Sequence, residues 1–291
     1  MKIRLLKRDK IDIEKWDRCV RNSVSPLIYG ESWWLDIVCK KSWSGLILDD
    51  YKAVMPLPER RKLGILKYFG QPPYTQQLGI FHKEIVSKEL QDSFISSIPF
   101  RPYRLNFNHS NFGANFEVKP NFCLSLNCEY SLLKNSFSQN TKRNITKAEV
   151  SEISIDKANT KESLEKFWHF LITQPKPYEL TKKEILKTLL QIALNNDCLE
   201  LHFAYNSHKS IIAALAMLKT PTRLTYFMPI SSKEGKKQSA MFAIVNSIIY
   251  KNQNTPVTLD FEGSSIAGIA RFYKGFGAVN QQYYRASFLL K

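Results

Sequence analysis

The pattern of apolar and polar positions predicts helices and strands in a definite order along the first half of the chain. It predicts a strand at KIRLLKR, an amphipathic helix at IDIEKWDRCVRN and a second helix at SWWLDIVCKK, with Ser32 as its N-cap. Three strands are then predicted at the apolar runs SGLILDD, YKAVMPLP and KLGILKYFG. A helix at HKEIVSKELQDSFISSI and strands at RPYRLNFN and NFCLSLN follow. The order is therefore β, α, α, β, β, β, α, β and β.

The second half repeats this order of elements without repeating the sequence. The pattern predicts a strand at SEISIDKA, helices at KESLEKFWHFLITQ and TKKEILKTLLQIALNN, and strands at LELHFAYN, KSIIAALAMLK and TRLTYFMPI. It then predicts a helix at SAMFAIVNSIIYKN, a strand at PVTLDFE, a short helix at SIAGIARFYKGF and a closing strand at AVNQQYYRASFLL. The segment NSFSQNTKRNITKAEV, from Asn135, predicts a connecting helix. We therefore expect two tandem domains, residues 1–134 and residues 151–291, joined by a helical linker at residues 135–150.

Length and composition fit this division. The chain has 291 residues, of which 44% are hydrophobic, enough to form the cores of two domains of ordinary size. The opening MKIRLLKRDK lacks the apolar core of a secretory signal, and the longest apolar runs are shorter than the roughly 20 residues of a membrane-spanning helix. We therefore expect a cytoplasmic protein. The five cysteines and five histidines show neither disulfide nor metal-ligand spacing, so no metal is expected.

The formal net charge of +16 marks the chain as a basic protein. Such a charge favours a polyanionic partner, which could be RNA, a phosphate-bearing cofactor or an acidic membrane surface. The alternative is a lysine- and asparagine-rich composition that has no functional meaning.

Two stretches resemble a known group of enzymes. The order of elements resembles the GNAT acyltransferase fold: one strand, two helices, three antiparallel strands, then helix, strand, helix and strand. Two such units in one chain resemble the FemABX group. TKRNITKA, at residues 141–148, is similar to the basic helix that opens the second domain of that group. LDFEGSSIAGIARFYKGFGA, at residues 259–278, is similar to its last strand-helix segment. The resemblance implies an α/β (α+β) protein with two tandem GNAT-like domains, each a mixed, mainly antiparallel sheet flanked by helices.

The same resemblance implies a transferase that moves an acyl or aminoacyl group to an amine. Acyl-CoA or aminoacyl-tRNA would serve as donor co-substrate, with no tightly bound cofactor, and the acceptor would be a small molecule or a peptidoglycan precursor. Two departures from the group are visible. SSKEGKKQSAMF, at residues 231–242, has a single glycine where acyl-CoA enzymes place a glycine-rich loop, and the long helical arm of some FemABX members is missing.

Three residues near the C-terminus are candidates for catalysis. Asp260 and Glu262 are two positions apart in a predicted strand, so both side chains would lie on one face. Burial or mutual repulsion could raise the pKa of one carboxylate, as a general base requires. The alternative is that Asp260 caps a turn and Glu262 is solvated or salt-bridged. The resemblance assigns Lys274 to the binding of the donor, whereas the alternative is a lysine that complements a helix dipole.

Other residues are candidates for binding the donor. The first set lies ahead of a predicted helix and could form a phosphate cradle; it comprises Lys233, Gly235, Lys236, Lys237 and Gln238. The second set, Ser264 and Ser265, opens another helix whose free amides form an anion site. A solvated loop and simple N-caps are the respective alternatives.

Substrate contacts are expected in the first half and in the connecting helix. The aromatic, proline-containing stretch YFGQPPYTQQLGIF places Gln71, Tyr74 and Gln76 where they could line a cleft between the domains, or could instead satisfy backbone groups of a packed loop. Arg143 lies in the basic helix.

Two hypotheses on function remain. The first is an acyltransferase, which is compatible with peripheral membrane contact and with a tRNA partner. The second is an inactive GNAT-fold protein that binds RNA or another polyanion.

Overall fold

The computed structural model describes residues 2–62, 66–99, 102–113, 116–174, 182–263 and 266–288, which form two compact units. Unit 1 comprises Met1–Pro120 with Gln282–Lys291, and unit 2 comprises Asn121–Gln281. Each unit has one mainly antiparallel sheet with a single parallel strand pair, and helices accompany each sheet. The predicted fold class, two tandem α/β domains with mixed sheets, is therefore confirmed.

The elements follow the predicted order closely. The first part of the chain contains β1 (Ile3–Lys7), α1 (Ile13–Arg21), α2 (Ser32–Val38), β2 (Trp43–Leu48), β3 (Ala53–Lys62), β4 (Leu66–Gly70), β5 (Phe81–His82), α3 (Lys88–Ser96), β6 (Tyr103–Phe107), β7 (Glu117–Lys119), β8 (Phe122–Ser125) and α4 (Tyr130–Asn135). The second part contains α5 (Gln139–Val150), β9 (Ser154–Ala158), α6 (Lys161–Thr173), α7 (Lys183–Asn195), β10 (Leu199–Tyr205), β11 (Ile211–Lys219), β12 (Arg223–Ser231), α8 (Lys233–Lys237), α9 (Ala240–Lys251), β13 (Thr258–Asp260), α10 (Ala267–Gly275), β14 (Val279–Asn280) and β15 (Tyr283–Phe288). Some predicted ends, such as residues 63–65 and 289–290, lie outside the described residues.

The sheet of unit 1 has the strand order β1-β2-β3-β4-β6-β15-β7, and β5 pairs with β3. Alternating apolar residues of its strands pack against α3, whose Phe94 is fully buried. The apolar cluster on this face includes Leu46, Met55, Phe69, Leu105 and Phe107.

The sheet of unit 2 has the strand order β14-β8-β13-β12-β11-β10-β9. Helix α9 has apolar residues at helical spacing, and these pack on the strands; they are Ile244, Val245, Ile248 and Ile249. Because α9 is anchored in this way, the position of its first turn is fixed relative to the sheet.

The closing strand of each half lies in the sheet of the other unit. Strand β8 pairs with β13 and β14, and β15 pairs with β6 and β7. The observed divisions fall at residues 120/121 and 281/282, and therefore differ from the predicted boundaries at 134/135 and 150/151. The predicted linker is helical in α5, but this helix belongs to unit 2. Pairing between strands far apart in sequence leaves no mark on the local pattern, which explains the difference.

Several local predictions need correction. Ser32 is the first residue of α2 rather than its N-cap, which is Glu31. The backbone N–H and the hydroxyl of Ser32 both donate to the carboxylate of Asp17, at 2.7 Å each. The pattern did not predict the short elements β5, β7, α4 and α8. Among the described residues, no helix has the length and apolar character that crossing a membrane requires.

Candidate functional site

Unit 2 contains a cavity of about 290 Å³ where two parallel strands diverge. Strand β12 pairs with β13 only over Arg223–Thr225, opposite Thr258–Asp260. Beyond this point β12 continues to Ser231, while the chain leaves β13 and turns toward α10. The cavity is bordered by the far half of β12, by α8 and the start of α9, and by α10.

The far half of β12 forms one wall of the cavity. Tyr226, Pro229 and Ser231 border it, and a register shift opposite Ala216/Met217 bends the strand at this level. None of the described strands pairs with this edge of β12 past Thr225. An open strand edge carries backbone N–H and C=O groups that a ligand can use.

The predicted phosphate loop is a helix. Lys233–Lys237 forms α8, with Ser232 as its N-cap, since the Ser232 hydroxyl accepts a hydrogen bond from the Gly235 N–H. A Cβ at Gly235 would lie 2.0 Å from the carbonyl oxygen of Ile212 in β11. Gly235 is therefore required by close helix-strand packing.

The start of α9 is the polar end of the cavity. Ser239 precedes the helix with φ 62°, and its hydroxyl donates to Asn144 Oδ1 of α5 at 2.7 Å instead of capping α9. The first amides of α9 therefore have no side-chain cap, and Lys236 borders the cavity nearby. An uncapped N-terminus of a 12-residue helix next to a lysine suits an anionic group.

The α10 wall is apolar and aromatic. Phe272 of α10 lies 4.8 Å from Phe242 of α9, and Tyr273 lies 5.8 Å from Tyr226, measured between ring centroids. Gly268 also borders the cavity, and a Cβ there would meet no atom within 4 Å. The cavity is therefore an apolar slot with one cationic end.

Asp260 lies in a buried ion pair rather than in the cavity. Its side chain is 2% exposed, and one carboxylate oxygen accepts from Arg223 at 2.6 Å. The other oxygen accepts from Asn121 Nδ2 at 3.1 Å and from the backbone N–H of Glu262 at 2.8 Å. This geometry fits the turn-capping alternative for Asp260 better than the predicted general base.

The surroundings of Asp260 strengthen the ion pair. Burial opposes the charge of Arg223, but the Asp260 carboxylate outweighs this effect and holds the pKa of Arg223 above its ordinary value. Burial, followed by the charge of Asp260, raises the pKa of the Cys123 thiol well above its ordinary value. The Cys123 Sγ donates to Gln281 Oε1 at 3.3 Å. Cys123 therefore stays protonated and is unsuited to act as a nucleophile.

Two of the three predicted catalytic residues, Lys274 and Glu262, contact Phe122. The Lys274 ammonium lies 5.4 Å from the centroid of the Phe122 ring, and the Phe122 N–H donates to the carbonyl oxygen of Glu262. Glu262 lies beyond the end of β13 with φ 60°, so the alternation of a strand does not apply to it. Asp260 and Glu262 therefore do not share a strand face. Instead, the backbone N–H of Glu262 donates to the carboxylate of Asp260.

Of the residues predicted to bind the donor, Gly235 and Lys236 border the cavity. The side chain of Gln238 donates to Glu234 Oε1, and Lys233 and Lys237 are exposed on α8. Ser264 and Ser265 lie outside the described residues.

The residues predicted to contact substrate stabilise local structure. Gln71 donates to the Thr75 carbonyl and accepts from the Asn106 N–H, and the carbonyl of Gln76 accepts from the Asn106 side chain. Tyr74 has φ 56° and is half-buried, and burial raises its pKa. These contacts match the packed-loop alternative. Arg143 is exposed on α5 and donates to Asn140 Oδ1.

Sequence reasoning did not find most of the cavity. Its main lining residues come from β12, α9 and α10; they include Tyr226, Pro229, Ser239, Met241, Phe242, Ile269, Phe272 and Tyr273. Most are apolar residues in predicted elements, which a pattern assigns to the core. The sequence singles out two segments for donor binding or catalysis, SSKEGKKQS and SIAGIARFYKGF, and residues of both border the cavity.

The duplicated layout and the diverging parallel strands define the class of fold, a tandem GNAT-like fold. No family model and no curated protein sequence matches the chain. Among solved structures, the chain is similar to FemX, with a TM-score of 0.70 and 12% identity over 99% of this chain and 98% of that chain.

Two further structures support the same class. The tandem GNAT protein from the clavulanic acid biosynthesis pathway matches with a TM-score of 0.51 and 7% identity over 100% of both chains. The L-PGS of Bacillus licheniformis matches with a TM-score of 0.55 and 11% identity over 95% of this chain and 91% of that chain. At these identities the likeness concerns the fold, and the predicted FemABX-like, tandem GNAT fold is confirmed.

Proposed function

We propose that unit 2 binds an activated acyl donor in its cavity and transfers the acyl or aminoacyl group to an amine. The observation that carries this proposal is the apolar slot at the divergence of β12 and β13, with an open strand edge on one side and the uncapped start of α9 at one end. Both donor classes, acyl-CoA and aminoacyl-tRNA, combine a phosphate group with a reactive carbonyl and therefore fit such a slot.

Each part of the cavity has a task in this reaction. The start of α9 and Lys236 hold the phosphate of the donor. The walls at Phe242 and Phe272 exclude water, which strengthens electrostatic interactions inside. Backbone N–H groups on the open edge of β12 donate to the carbonyl oxygen, whose negative charge grows during the attack.

The chemistry is a direct displacement. The amine nitrogen attacks the carbonyl carbon to form a C–N bond, and the C–S or C–O bond to the donor then breaks. The leaving thiolate or alkoxide takes up one proton, and the phenol of Tyr226 or Tyr273 is our candidate donor. The amine loses one proton. We retain Glu262 as the candidate acceptor of that proton, because Asp260 is held in its ion pair.

Lys274 is exposed at the last turn of α10, beside Phe122. We propose that this lysine binds an anionic part of the donor or the acceptor, since a protonated lysine cannot act as a base. The acceptor in the proposal is a small amine or a peptidoglycan precursor. The protein acts in the cytoplasm, where its net positive charge allows peripheral contact with the membrane.

One observation favours a second function, an inactive GNAT-fold protein that binds RNA or another polyanion. The ion pair of Asp260 removes the carboxylate predicted as a base, while the net charge of +16 remains. This protein would bind RNA with strong salt dependence and turn over no acyl donor.

Mass spectrometry of the transfer reaction tests the proposal. The full chain is incubated with acetyl-coenzyme A or with aminoacyl-tRNA and a panel of amines, after a thermal-shift screen has selected the donor that stabilises the protein. We expect an acylated amine, formed at least tenfold more slowly by Lys236→Ala and at an unchanged rate by Lys251→Ala, a lysine in the last turn of α9. Absence of product with every donor, together with salt-sensitive RNA binding, would favour the second function.

A further inference from the structure

Unit 1 contains a larger cavity, of about 420 Å³, that has no part in the proposed transfer reaction. It lies at the end of the sheet where β1 ends and β2 begins. Lys7, Arg8, Lys41, Trp43, Ser44 and Glu59 are among the residues that border it.

The register of the strands brings three basic segments to this end of the sheet. Lys7 of β1 lies opposite Ser44 of β2, and Trp43 lies opposite Pro58 of β3. These segments are KRDK at residues 7–10, KK at residues 40–41 and ERRK at residues 59–62. Residues of each segment therefore meet at the cavity, although the segments are far apart in sequence; they include Lys7 and Arg8, Lys41, and Glu59. The lining holds three cations, Lys7, Arg8 and Lys41, and two carboxylates, Asp9 and Glu59. It therefore offers donors for an anionic group beside acceptors for hydroxyl groups.

Arg8 is held in a fixed orientation at the cavity wall. Its Nε and Nη2 donate to the two carboxylate oxygens of Asp36 at 2.6 Å each, and its guanidinium carbon lies 5.7 Å from the centroid of the Trp43 ring. Trp43 Nε1 also donates to Asp36, at 2.8 Å. A guanidinium fixed in this way has lost its rotational freedom before a ligand arrives, and its other N–H groups can still donate.

The backbone next to the cavity is in an uncommon conformation. Lys40 and Lys41 both have left-handed φ values, 51° and 58°, although neither is glycine. The turn is secured by a hydrogen bond of 2.9 Å from the Lys41 N–H to the Asp36 carbonyl oxygen. Such conformations are costly for residues with a side chain and are concentrated at functional sites. Of the two residues, Lys41 borders the cavity.

An acceptor group completes the lining. Glu59 borders the cavity and accepts a hydrogen bond of 2.8 Å from the buried hydroxyl of Ser44. A carboxylate has lone pairs for several donors, so Glu59 can also accept from hydroxyl groups of a ligand.

We propose that this cavity binds a small phosphorylated molecule that also carries hydroxyl groups, that is, a sugar phosphate or a nucleotide. Lys7, Arg8 and Lys41 bind the phosphate, and Glu59 accepts from the hydroxyls. A concave site of this volume has the size of small-molecule pockets, and this favours a compact ligand over the backbone of RNA or a membrane surface.

Calorimetric titration of the full chain with inorganic phosphate, glucose 1-phosphate, ribose 5-phosphate and adenosine diphosphate tests this site. We expect at least one of the three organic phosphates to bind more tightly than inorganic phosphate, with Lys41→Gly weakening it roughly tenfold. Lys40→Gly is the matched control, because it makes the same change at the same backbone conformation outside the cavity. Both glycines relieve the left-handed strain, so neither variant should unfold more easily.

Two further variants separate this site from the cavity of unit 2. Lys83, which follows β5 at the opposite end of β3, lies away from the cavity, so Lys83→Ala should leave the affinity unchanged. Lys236→Ala reports any phosphate that binds in the cavity of unit 2 instead. The proposal is overturned if no organic phosphate binds, or if Lys41→Gly and Lys40→Gly have equal effects. It is also overturned if Lys236→Ala, rather than Lys41→Gly, abolishes binding. A third result would show a docking surface instead of a small-molecule site. In that case RNA or anionic vesicles bind, Lys41→Gly weakens this binding, and none of the small phosphates binds.

Discussion

At the scale of single residues, the ion pair between Asp260 and Arg223 decides how the end of β13 can be used. Both side chains are nearly buried, and the Asp260 carboxylate has three donors within 3.1 Å. A charge in such a place is stabilised only while its partners remain, so removing one partner leaves the other uncompensated.

We therefore predict that Asp260→Asn lowers the free energy of unfolding by about 3 kcal/mol. The double variant Asp260→Leu with Arg223→Met should recover most of this loss, because it removes both charges. Asp197→Asn changes a carboxylate whose side chain is 86% exposed and should have little effect. Urea denaturation measures all three. If Asp260→Asn kept full stability and lost only transfer activity, the general-base role would be restored.

Glu200 contributes stability that depends on pH. It is buried on β10, where Lys157 lies 2.7 Å and His202 3.4 Å from its carboxylate oxygens. Burial alone would raise the pKa of Glu200, but the interactions with His202 and Lys157 outweigh burial and lower the pKa to about 2. The carboxylate is therefore more acidic in the folded than in the unfolded chain.

Because the folded pKa is depressed, this stabilisation is complete above the unfolded pKa of roughly 4.3 and is lost as the pH falls toward 2. We predict that Glu200→Gln lowers the free energy of unfolding by on the order of 2 kcal/mol at pH 7 and by less at pH 4. Urea denaturation across this range measures the difference, with Glu165→Gln on the exposed face of α6 as the control. An equal loss at both pH values would show that the charge of Glu200 is not the cause.

At this scale the sequence points to residues whose chemistry is visible without the fold, such as paired carboxylates and a lysine at a helix end. It singled out Asp260, Glu262 and Lys274; Lys274 lies over the Phe122 ring, and the Glu262 backbone contacts both Phe122 and Asp260. It could not foresee that Arg223 and Asn121 occupy the Asp260 carboxylate, because both come from strands or turns that are distant in sequence. The apolar residues of the cavity, such as Phe242 and Phe272, look like ordinary core residues in a sequence.

At the scale of elements, α8 shows how packing decides the role of a glycine. Gly235 and Gly268 both border the cavity of unit 2, but their surroundings differ. A Cβ at Gly235 would collide with the backbone of β11, whereas a Cβ at Gly268 would meet nothing within 4 Å.

Alanine at these two positions should therefore have opposite effects. We predict that Gly235→Ala destabilises the protein by roughly 2 kcal/mol, because α8 must shift away from Ile212. Gly268→Ala should stabilise it by about 0.5 kcal/mol, because alanine favours a helix over glycine. Thermal and urea denaturation measure both changes. Equal effects would contradict the packing role of Gly235.

Most elements were predictable because their signals are local. Ser87, Ser138 and Asp12 precede helices and cap them with side-chain hydrogen bonds, whereas Ser32, the predicted N-cap of α2, lies inside its helix. The missed strands β5 and β7 have two and three residues, too few for an alternating pattern. Helix α8 was missed because four charged residues around a central glycine resemble a loop.

At the scale of the whole molecule, each half of the chain supplies one strand to the sheet of the other unit. Unit 1 needs β15 between β6 and β7, and unit 2 needs β8 between β13 and β14. The element order was predictable from local periodicity, but the partner of each strand was not, since pairing is settled by long-range hydrogen bonds and packing.

We predict that a fragment of residues 121–281 folds on its own, because it contains every strand of its sheet. A fragment of residues 151–291 lacks β8 and should fail to unfold cooperatively in urea, as should residues 1–120, which lack β15. Circular dichroism during urea titration measures this. Cooperative unfolding of residues 151–291, without that of residues 121–281, would support the boundaries predicted from the pattern.

If the cavity of unit 2 holds the acyl donor, filling that cavity must weaken the binding of the donor. Titration calorimetry measures this affinity. Coenzyme A, acetyl-coenzyme A and puromycin, which mimics the end of aminoacyl-tRNA, are titrated into the full chain and into Gly268→Leu. Gly268 borders the cavity, and a Cβ there meets no atom within 4 Å, so a leucine side chain at this position has room to begin and would occupy cavity space. Arg271→Leu, on the exposed side of α10, is the matched control.

We predict that at least one of these compounds binds the unmodified chain and the Arg271→Leu variant with equal affinity, and binds Gly268→Leu at least tenfold more weakly, with the stability of the variant maintained. A donor that binds all three proteins equally well would contradict the account.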